Sequence, residues 1–323
     1  MIIDGCGREI DHLRLSLTDH CNLACRYCIP EGAKPDGQMI DAEFAFEIVR
    51  WLAQRHGIRF VRLTGGEPLL YPGLIPLIER LSKLDALHEI MLTTNAQVLT
   101  QKAGALRGAG LSRINISLDT LKPVRFAYVT RGGKLDRTLA GIEAAVRCGL
   151  TPVKINVVAQ RNLNDDELPD IAEWGLSRGC VVRFLEVMPI GPLADVVDQH
   201  LVPAAEILER LGERFELRSI PISENLGQPA TDYAAGGRGL RGVIGIIAST
   251  TRPFCARCRR LRVTSCGSLV ACMHDGTRFD LKRWWNGHGL DTDGADATLR
   301  AAVLGKAELG PRNQDITMLS LGG

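Results

Sequence analysis

The sequence predicts an α/β protein: an open, partial (β/α)6 TIM-like barrel followed by a C-terminal module. Three observations carry that prediction. Apolar strand-like runs alternate with amphipathic helical stretches from residue 13 to residue 188, the pattern of parallel βαβ units with right-handed crossovers. Counting the run at 13–18, there are six such units, too few to close the usual eight-stranded barrel. The residues richest in ligand-binding chemistry stand at the carboxyl ends of these runs, where a barrel of this kind keeps its site.

Leu13, Leu15 and Leu17 alternate with Arg14, Ser16 and Thr18, which makes a strand with one apolar and one polar face. Arg14 then looks either into a ligand cavity or out to solvent. Asp41 caps a helix whose Phe44, Ile48, Trp51 and Leu52 share one face, and Gly57 ends it. The strand at 58–63 runs into Thr64-Gly65-Gly66-Glu67-Pro68. Helices at 72–83, 99–109, 136–148 and 166–178 alternate with strands at 88–94, 112–118, 152–159 and 181–188. Thr93, Ser117 and Met188 stand at the ends of the last-named strands. Between 189 and 242 the pattern loosens around one helix at 203–213, which reads as a connecting region over part of the barrel opening. Val243–Ile247 suits a further strand. Residues 261–273, with Gly267 at the turn, suit a hairpin that returns Cys272 towards Cys258. The division expected is a barrel at 1–190 and a C-terminal region at 191–323.

With 45% hydrophobic and 24% charged residues in 323, the chain has the composition of a globular protein with a sizeable core. A net charge of +2 is too small to hold nucleic acid or a membrane surface by its overall field, so any anion site has to be built locally. No apolar run reaches the length of a membrane span, and the first ten residues lack the charged-then-apolar order of a secretion signal. A reducing cytoplasm is therefore the expected location.

Six of the ten cysteines fall into two groups, Cys21, Cys25, Cys28 and Cys255, Cys258, Cys272. Three thiolates spaced C-x3-C-x2-C hold three irons of a cubane cluster and leave the fourth iron open. The spacing alone also leaves open a zinc site completed by His20. Gly65 and Gly66 let the backbone approach a ligand closely, and together with Glu67 they offer carbonyls and a carboxylate to an ammonium group. An amino-acid moiety chelating the open iron would fit there.

The first cysteine group followed by Gly65-Gly66-Glu67-Pro68 resembles the radical S-adenosylmethionine superfamily, which implies the partial barrel of the radical SAM type. The second group, C-x2-C-x13-C enclosing Arg260 and Arg262, is similar to that of the GTP 3′,8-cyclase family of molybdenum cofactor biosynthesis. So are residues 7–23, 63–70, 114–121, 153–158, 183–189 and the terminal Gly322-Gly323, with the likeness weakest at 192–225 and 274–310. The resemblance implies a [4Fe-4S] cluster on each cysteine group and a lyase that uses S-adenosylmethionine. Tyr27, Gly66, Ser117 and Met188 match the family's S-adenosylmethionine contacts, and Gly65 and Glu67 join them by the ammonium argument. Arg14, Arg62, Thr93, Lys154, Arg260 and Arg262 match its GTP contacts. Arg14, Arg260, Arg262, Gly322 and Gly323 are the expected catalytic contributors. A triphosphate calls for several fixed cations, and Lys154 alternates with apolar neighbours as a barrel-lumen residue does. A tail of glycines is thin enough to thread a narrow channel.

The expected partners are GTP, a low-potential donor of the flavodoxin or ferredoxin type, and cyclic pyranopterin monophosphate synthase as the next enzyme. Nucleic acid and membrane are not expected, and the chain is expected as a monomer or homodimer. Three positions depart from the family pattern: Arg259 for asparagine, Ala96 for glycine and Cys266 for aspartate. A Cys266 that reached the second cluster would take the iron meant for GTP; the plainer reading is a free thiol in a turn. His274 is a ligand only in a zinc version of that site. The rival enzyme is a peptide-modifying radical protein with an auxiliary cluster, and the rival outside catalysis is a zinc-stabilised binding module.

Overall fold

The computed structural model describes residues 1–221, 228–309 and 318–321. Gly322 and Gly323 lie outside the described residues. Two short strands, β1 (Ile2–Ile3) and β2 (Glu9–Ile10), pair antiparallel at the start. The chain then alternates through β3 (His12–Ser16), α1 (Ala42–His56), β4 (Phe60–Thr64), α2 (Leu74–Leu81), β5 (Glu89–Thr94) and α3 (Ala103–Gly108). It continues through β6 (Arg113–Ser117), α4 (Pro123–Thr130), α5 (Leu135–Arg147), β7 (Lys154–Ala159), α6 (Leu168–Leu176) and β8 (Val181–Glu186). Beyond these come α7 (Val197–His200), α8 (Ala204–Gly212), β9 (Glu216–Ser219), β10 (Thr231–Gly237) and β11 (Leu240–Ile247). The last elements are β12 (Arg260–Val263), β13 (Ser268–Val270), β14 (Phe279–Asp280), α9 (Thr292–Leu304) and α10 (Met318–Leu321).

Local chemistry explains the first helix. The Asp41 carboxylate accepts from the Phe44 amide at 2.9 Å, and Gly57 closes the helix with a left-handed φ of 77°. Its Phe44, Ile48 and Leu52 are buried against the sheet, and each is worth about 1.5–3 kcal/mol in removed apolar surface.

All the main strands form one twelve-stranded sheet in the order β14-β13-β12-β3-β4-β5-β6-β7-β8-β11-β10-β9. The six strands β3 to β8 run parallel, as the sequence predicts. Two strands from the second half of the chain lengthen that parallel row, β12 beside β3 and β11 beside β8. Among the described residues β11 and β12 do not pair with each other, so the barrel stays open. The fold is the expected partial TIM-like barrel.

Residues 189–242 differ from the expected connecting region: β9 and β10 in that stretch pair into the sheet beyond β11. Helices α4 and α9 also lie outside the expected set. Strand alternation fixes which residues face inward. Leu13 and Leu15 are buried on the helix side of β3, and the register places Arg262 beside Arg14 and Arg14 beside Arg62. Three arginines thus stand side by side across three neighbouring strands.

Candidate active site

The loop that carries the first cysteines is pinned from two sides. On one, Gly66 N donates to Thr18 O at 2.7 Å and Glu67 N to His20 O at 2.8 Å. On the other, Arg26 N donates to Val129 O at 2.9 Å and Arg131 to Ile29 O at 2.9 Å. A Cβ on Gly66 would lie 2.4 Å from the His20 carbonyl oxygen, and one on Gly65 2.5 Å from that of Thr18. Only glycine permits this approach, and Gly65 also has φ of 147°. Both oxygens of the buried Glu67 carboxylate already accept bonds, from Thr94 Oγ1 at 2.6 Å and Leu69 N at 3.0 Å on one and from Asn95 N at 2.7 Å on the other.

Burial pushes the Cys21 thiol up to about 11 and the Cys28 thiol up to about 12, and it raises Cys25 as well. Charge on neighbouring thiols adds to the shifts of Cys25 and Cys28, Asp119 acts on Cys25 as well, and Glu67 adds to the shift of Cys21. A cationic centre among these buried thiols would favour their ionised form. Tyr27 donates to Asp119 Oδ2 at 2.9 Å, and Val158 N donates to Oδ1 at 2.9 Å. Burial carries Asp119 up to about 6 in spite of both donors.

These groups open onto a cavity of about 300 Å³ at the carboxyl ends of the strands. Its lining brings together the predicted Cys21, Cys25, Cys28, Tyr27, Gly65, Gly66, Glu67, Thr93, Ser117 and Met188 with Arg14, Arg260 and Arg262. Arg62, Lys154 and the second cysteine group stand outside that lining. Arg62 lies behind it, with Nη1 3.5 Å from Thr93 Oγ1. Asp119, Asn115 and Asn156 also line the cavity, and the Asn115 and Asn156 side-chain oxygens have no hydrogen-bond partner there.

The cations crowd one another. Burial first, then Arg262, Arg260 and Arg62, lower Arg14 well below the usual guanidinium range. Burial with Arg113, Arg183 and Arg260 brings Arg62 down to about 9, and burial with Arg183 and Arg113 brings Lys154 down to about 7. Arg183 falls to about 10 for the same first reason, although Asp232 opposes the shift. Sequence reasoning missed Arg113 and Arg183. Strand alternation held a signal for Arg113, which shares a face of β6 with Asn115 and Ser117.

The second cysteines sit where the β12–β13 hairpin opens. Cys258 precedes β12 and Cys272 follows β13, and Cys272 feels the charge of both Cys258 and Cys255. Burial opposes ionisation of Cys258, yet Lys306 and Arg260 hold it below the usual thiol range. Phe254, Arg260 and Met273 connect this hairpin to the cavity wall, and the Arg260 guanidinium stands 5.0 Å over the Phe254 ring. Among the described residues no three His, Cys, Asp or Glu side chains converge as one metal ion requires.

The three departures have local explanations. Arg259 bonds Asp11 at 2.5 Å and Glu9 at 2.7 Å, on the far side of β12 from Arg260 and Arg262. Ala96 has φ of 62°, the left-handed region that suits glycine. Cys266 is exposed in the hairpin turn, 3.0 Å from Thr264 Oγ1 and 3.6 Å from Ser268 Oγ. The hairpin register sets Cys272 opposite Arg260, so the turn is more than about 10 Å from it along the strands.

Two family models divide the chain, the Radical SAM superfamily over residues 15–175 and Molybdenum Cofactor Synthesis C over residues 180–309. The GTP 3′,8-cyclase of Geobacter sulfurreducens is 41% identical over 87% of this chain and 86% of its own. That of Moorella thermoacetica is 39% identical over 99% of both chains. The chain belongs to the GTP 3′,8-cyclase family. Among solved structures, Streptococcus suis SuiB bound to S-adenosylmethionine superposes with a TM-score of 0.62 at 15% identity, over 84% of this chain and 63% of that one. That likeness shows the shared fold. A GTP 3′,8-cyclase is a radical S-adenosylmethionine protein, which takes a [4Fe-4S] cluster and S-adenosylmethionine. The residues fit that cluster, because three buried thiols share the cavity with a glycine pair packed so closely on the Thr18 and His20 backbone that the loop carrying the thiols is held against it. No helix among the described residues is long and apolar enough to cross a membrane.

Proposed function

We propose that this chain converts GTP to (8S)-3′,8-cyclo-7,8-dihydroguanosine 5′-triphosphate in molybdenum cofactor biosynthesis, and that it is by reaction a lyase. The row Arg262, Arg14, Arg62 carries this reading, since Arg262 and Arg14 line the cavity that also receives the three-cysteine loop and Arg62 stands behind them. Fixed guanidinium forks on neighbouring strands suit a triphosphate, and a peptide substrate would leave them without a purpose. Cys21, Cys25 and Cys28 would hold a [4Fe-4S] cluster that, once reduced, would supply the electron for splitting S-adenosylmethionine into methionine and a 5′-deoxyadenosyl radical.

The chain's own residues bind, orient and shield. Tyr27, Gly65, Gly66, Glu67, Ser117 and Met188 surround S-adenosylmethionine, with the glycine backbones approaching closest. Arg62, Thr93 and Lys154 hold the triphosphate with Arg14, Arg260 and Arg262, which keep the nucleotide still while C3′ gives its hydrogen atom to the 5′-deoxyadenosyl radical and bonds to C8, the resulting radical then taking one electron from the low-potential donor and one proton. Cys255, Cys258 and Cys272 would hold a second [4Fe-4S] cluster, which would bind the purine. Leu185, Val187, Ile190 and Leu193 wall the cavity and exclude water, which protects a reactive carbon centre from side reactions.

Leu321 is buried with Ile190 and Val270, and Met318 lines the cavity. This supports the reading that Gly322 and Gly323, within about 7 Å of chain length of Leu321, enter the site. A flavodoxin- or ferredoxin-type donor, cyclic pyranopterin monophosphate synthase as the receiver of the product, and a cytoplasmic location complete the proposal.

The test is anaerobic reconstitution with reductant, S-adenosylmethionine and GTP deuterated at C3′. Deuterium in 5′-deoxyadenosine supports the reading. Unlabelled 5′-deoxyadenosine with no loss of GTP would overturn it in favour of the peptide-modifying alternative.

A further inference from the structure

Behind the second cysteine group, three remote parts of the chain meet at buried charges. Arg8 donates through Nε to Asp4 at 2.6 Å, through Nη1 to the Cys255 carbonyl at 2.8 Å and through Nη2 to the Ala307 carbonyl at 2.9 Å. That fork ties the N-terminal turn and the segment after α9 to the cysteine loop. Asp4 Oδ1 is taken by the amides of Cys6 and Arg8. Lys306 is 3% exposed, and its Nζ donates to the Arg260 carbonyl at 2.6 Å. That carbonyl is two residues from Cys258, whose thiol the Lys306 charge holds below the usual range although burial opposes it.

A buried ammonium is costly unless an anion or acceptor faces it. Asp4 is engaged by Arg8, which leaves the Cys258 sulfur as the negative group that rewards burying Lys306. We propose that Lys306 is a positioning residue for the second cluster, donating to the Cys258 thiolate and stabilising the negative charge that one-electron reduction adds. Hydrogen bonds to the sulfurs and local charge set a cluster's potential. The lysine is rigid: its neighbour Ala307 is clamped by Arg8 and its head by a backbone carbonyl. The cluster loop is therefore braced from outside the cavity, by groups that need not touch GTP or S-adenosylmethionine. This inference rests on the second-cluster reading.

The test is a redox titration of the reconstituted holoenzyme followed by electron paramagnetic resonance, with the first cluster as internal control. Lys306→Met is expected to disfavour reduction of the second cluster at least tenfold, about 59 mV for one electron, and to leave the first unmoved. Lys306→Gln, which keeps a donor and drops the charge, falls between, and Lys306→Arg stays near the wild type. A second potential unmoved in both Lys306→Met and Lys306→Gln overturns the inference, as does an equal shift of both clusters. Cys258→Ala separates the two claims by iron content. If it keeps full iron, the second-cluster reading fails and this inference fails with it; if iron falls, the Lys306 potentials decide alone.

Discussion

Lys154 gives the proposed triphosphate site a pH signature. It is 6% exposed, and burial followed by the Arg183 and Arg113 guanidiniums lowers it to about 7. At pH 8 the free protein therefore holds Lys154 mostly neutral, whereas a triphosphate against it favours the ammonium. Binding GTP at pH 8 then takes up about 0.9 proton on this group, and each further pH unit costs about 1.4 kcal/mol, tenfold in affinity. Between pH 7.5 and 8.5 the dissociation constant rises about eightfold, and it levels off as pH falls below 7, where the proton is already present. Isothermal titration calorimetry in buffers of different ionisation enthalpy measures both quantities. Lys154→Arg, charged throughout, gives a flat profile, and Lys154→Met a flat and weaker one. A wild-type affinity that changes less than about twofold over that interval, with no proton uptake, refutes the placement of Lys154 against the triphosphate.

Gly66→Ala drives a Cβ to 2.4 Å from the His20 carbonyl, so it should abolish S-adenosylmethionine cleavage and strip iron from the first site, checked by iron analysis and product assay. Arg259→Gln removes one of the two side-chain partners of the buried Asp11, leaving His12. It should cost about 1–3 kcal/mol in denaturant unfolding and leave GTP turnover per folded molecule unchanged. Cys266→Ser should keep full iron content and activity, because the thiol bonds only within its own turn in the distances above.

Much of the barrel and of the first site is written locally. Leu13 to Leu17 alternate, the helices carry one apolar face, and the cysteine spacing and the glycine pair lie in short stretches. What stayed hidden depends on contacts between distant residues. The strand at 243–247 was recognisable, but its place beside β8 follows only from pairing with Val182 to Leu185. Glu216–Ser219 is polar and mostly exposed, so its pairing leaves no apolar mark. Arg113 and Arg183 read as ordinary strand charges until β5 to β8 bring them towards Lys154. Lys306 acts on Cys258 across 47 intervening positions of chain that no motif links. Cys266 posed a question that only the hairpin register answers.

The two flanking strands also govern how the protein is made. When the ribosome has released residue 190, β3 and β8 are the two bare edges of a parallel sheet, and their partners β12 and β11 have not yet been synthesised. At about 5–20 residues per second, the 73 residues from there to the end of β12 take about 4–15 s. Through that interval the nascent barrel offers unpaired amides and carbonyls to any neighbouring chain, which is a template for aggregation. A chain cut at residue 190 would keep both edges for good and is expected to precipitate. The half that carries the first cysteine group depends for its solubility on the half that carries the second.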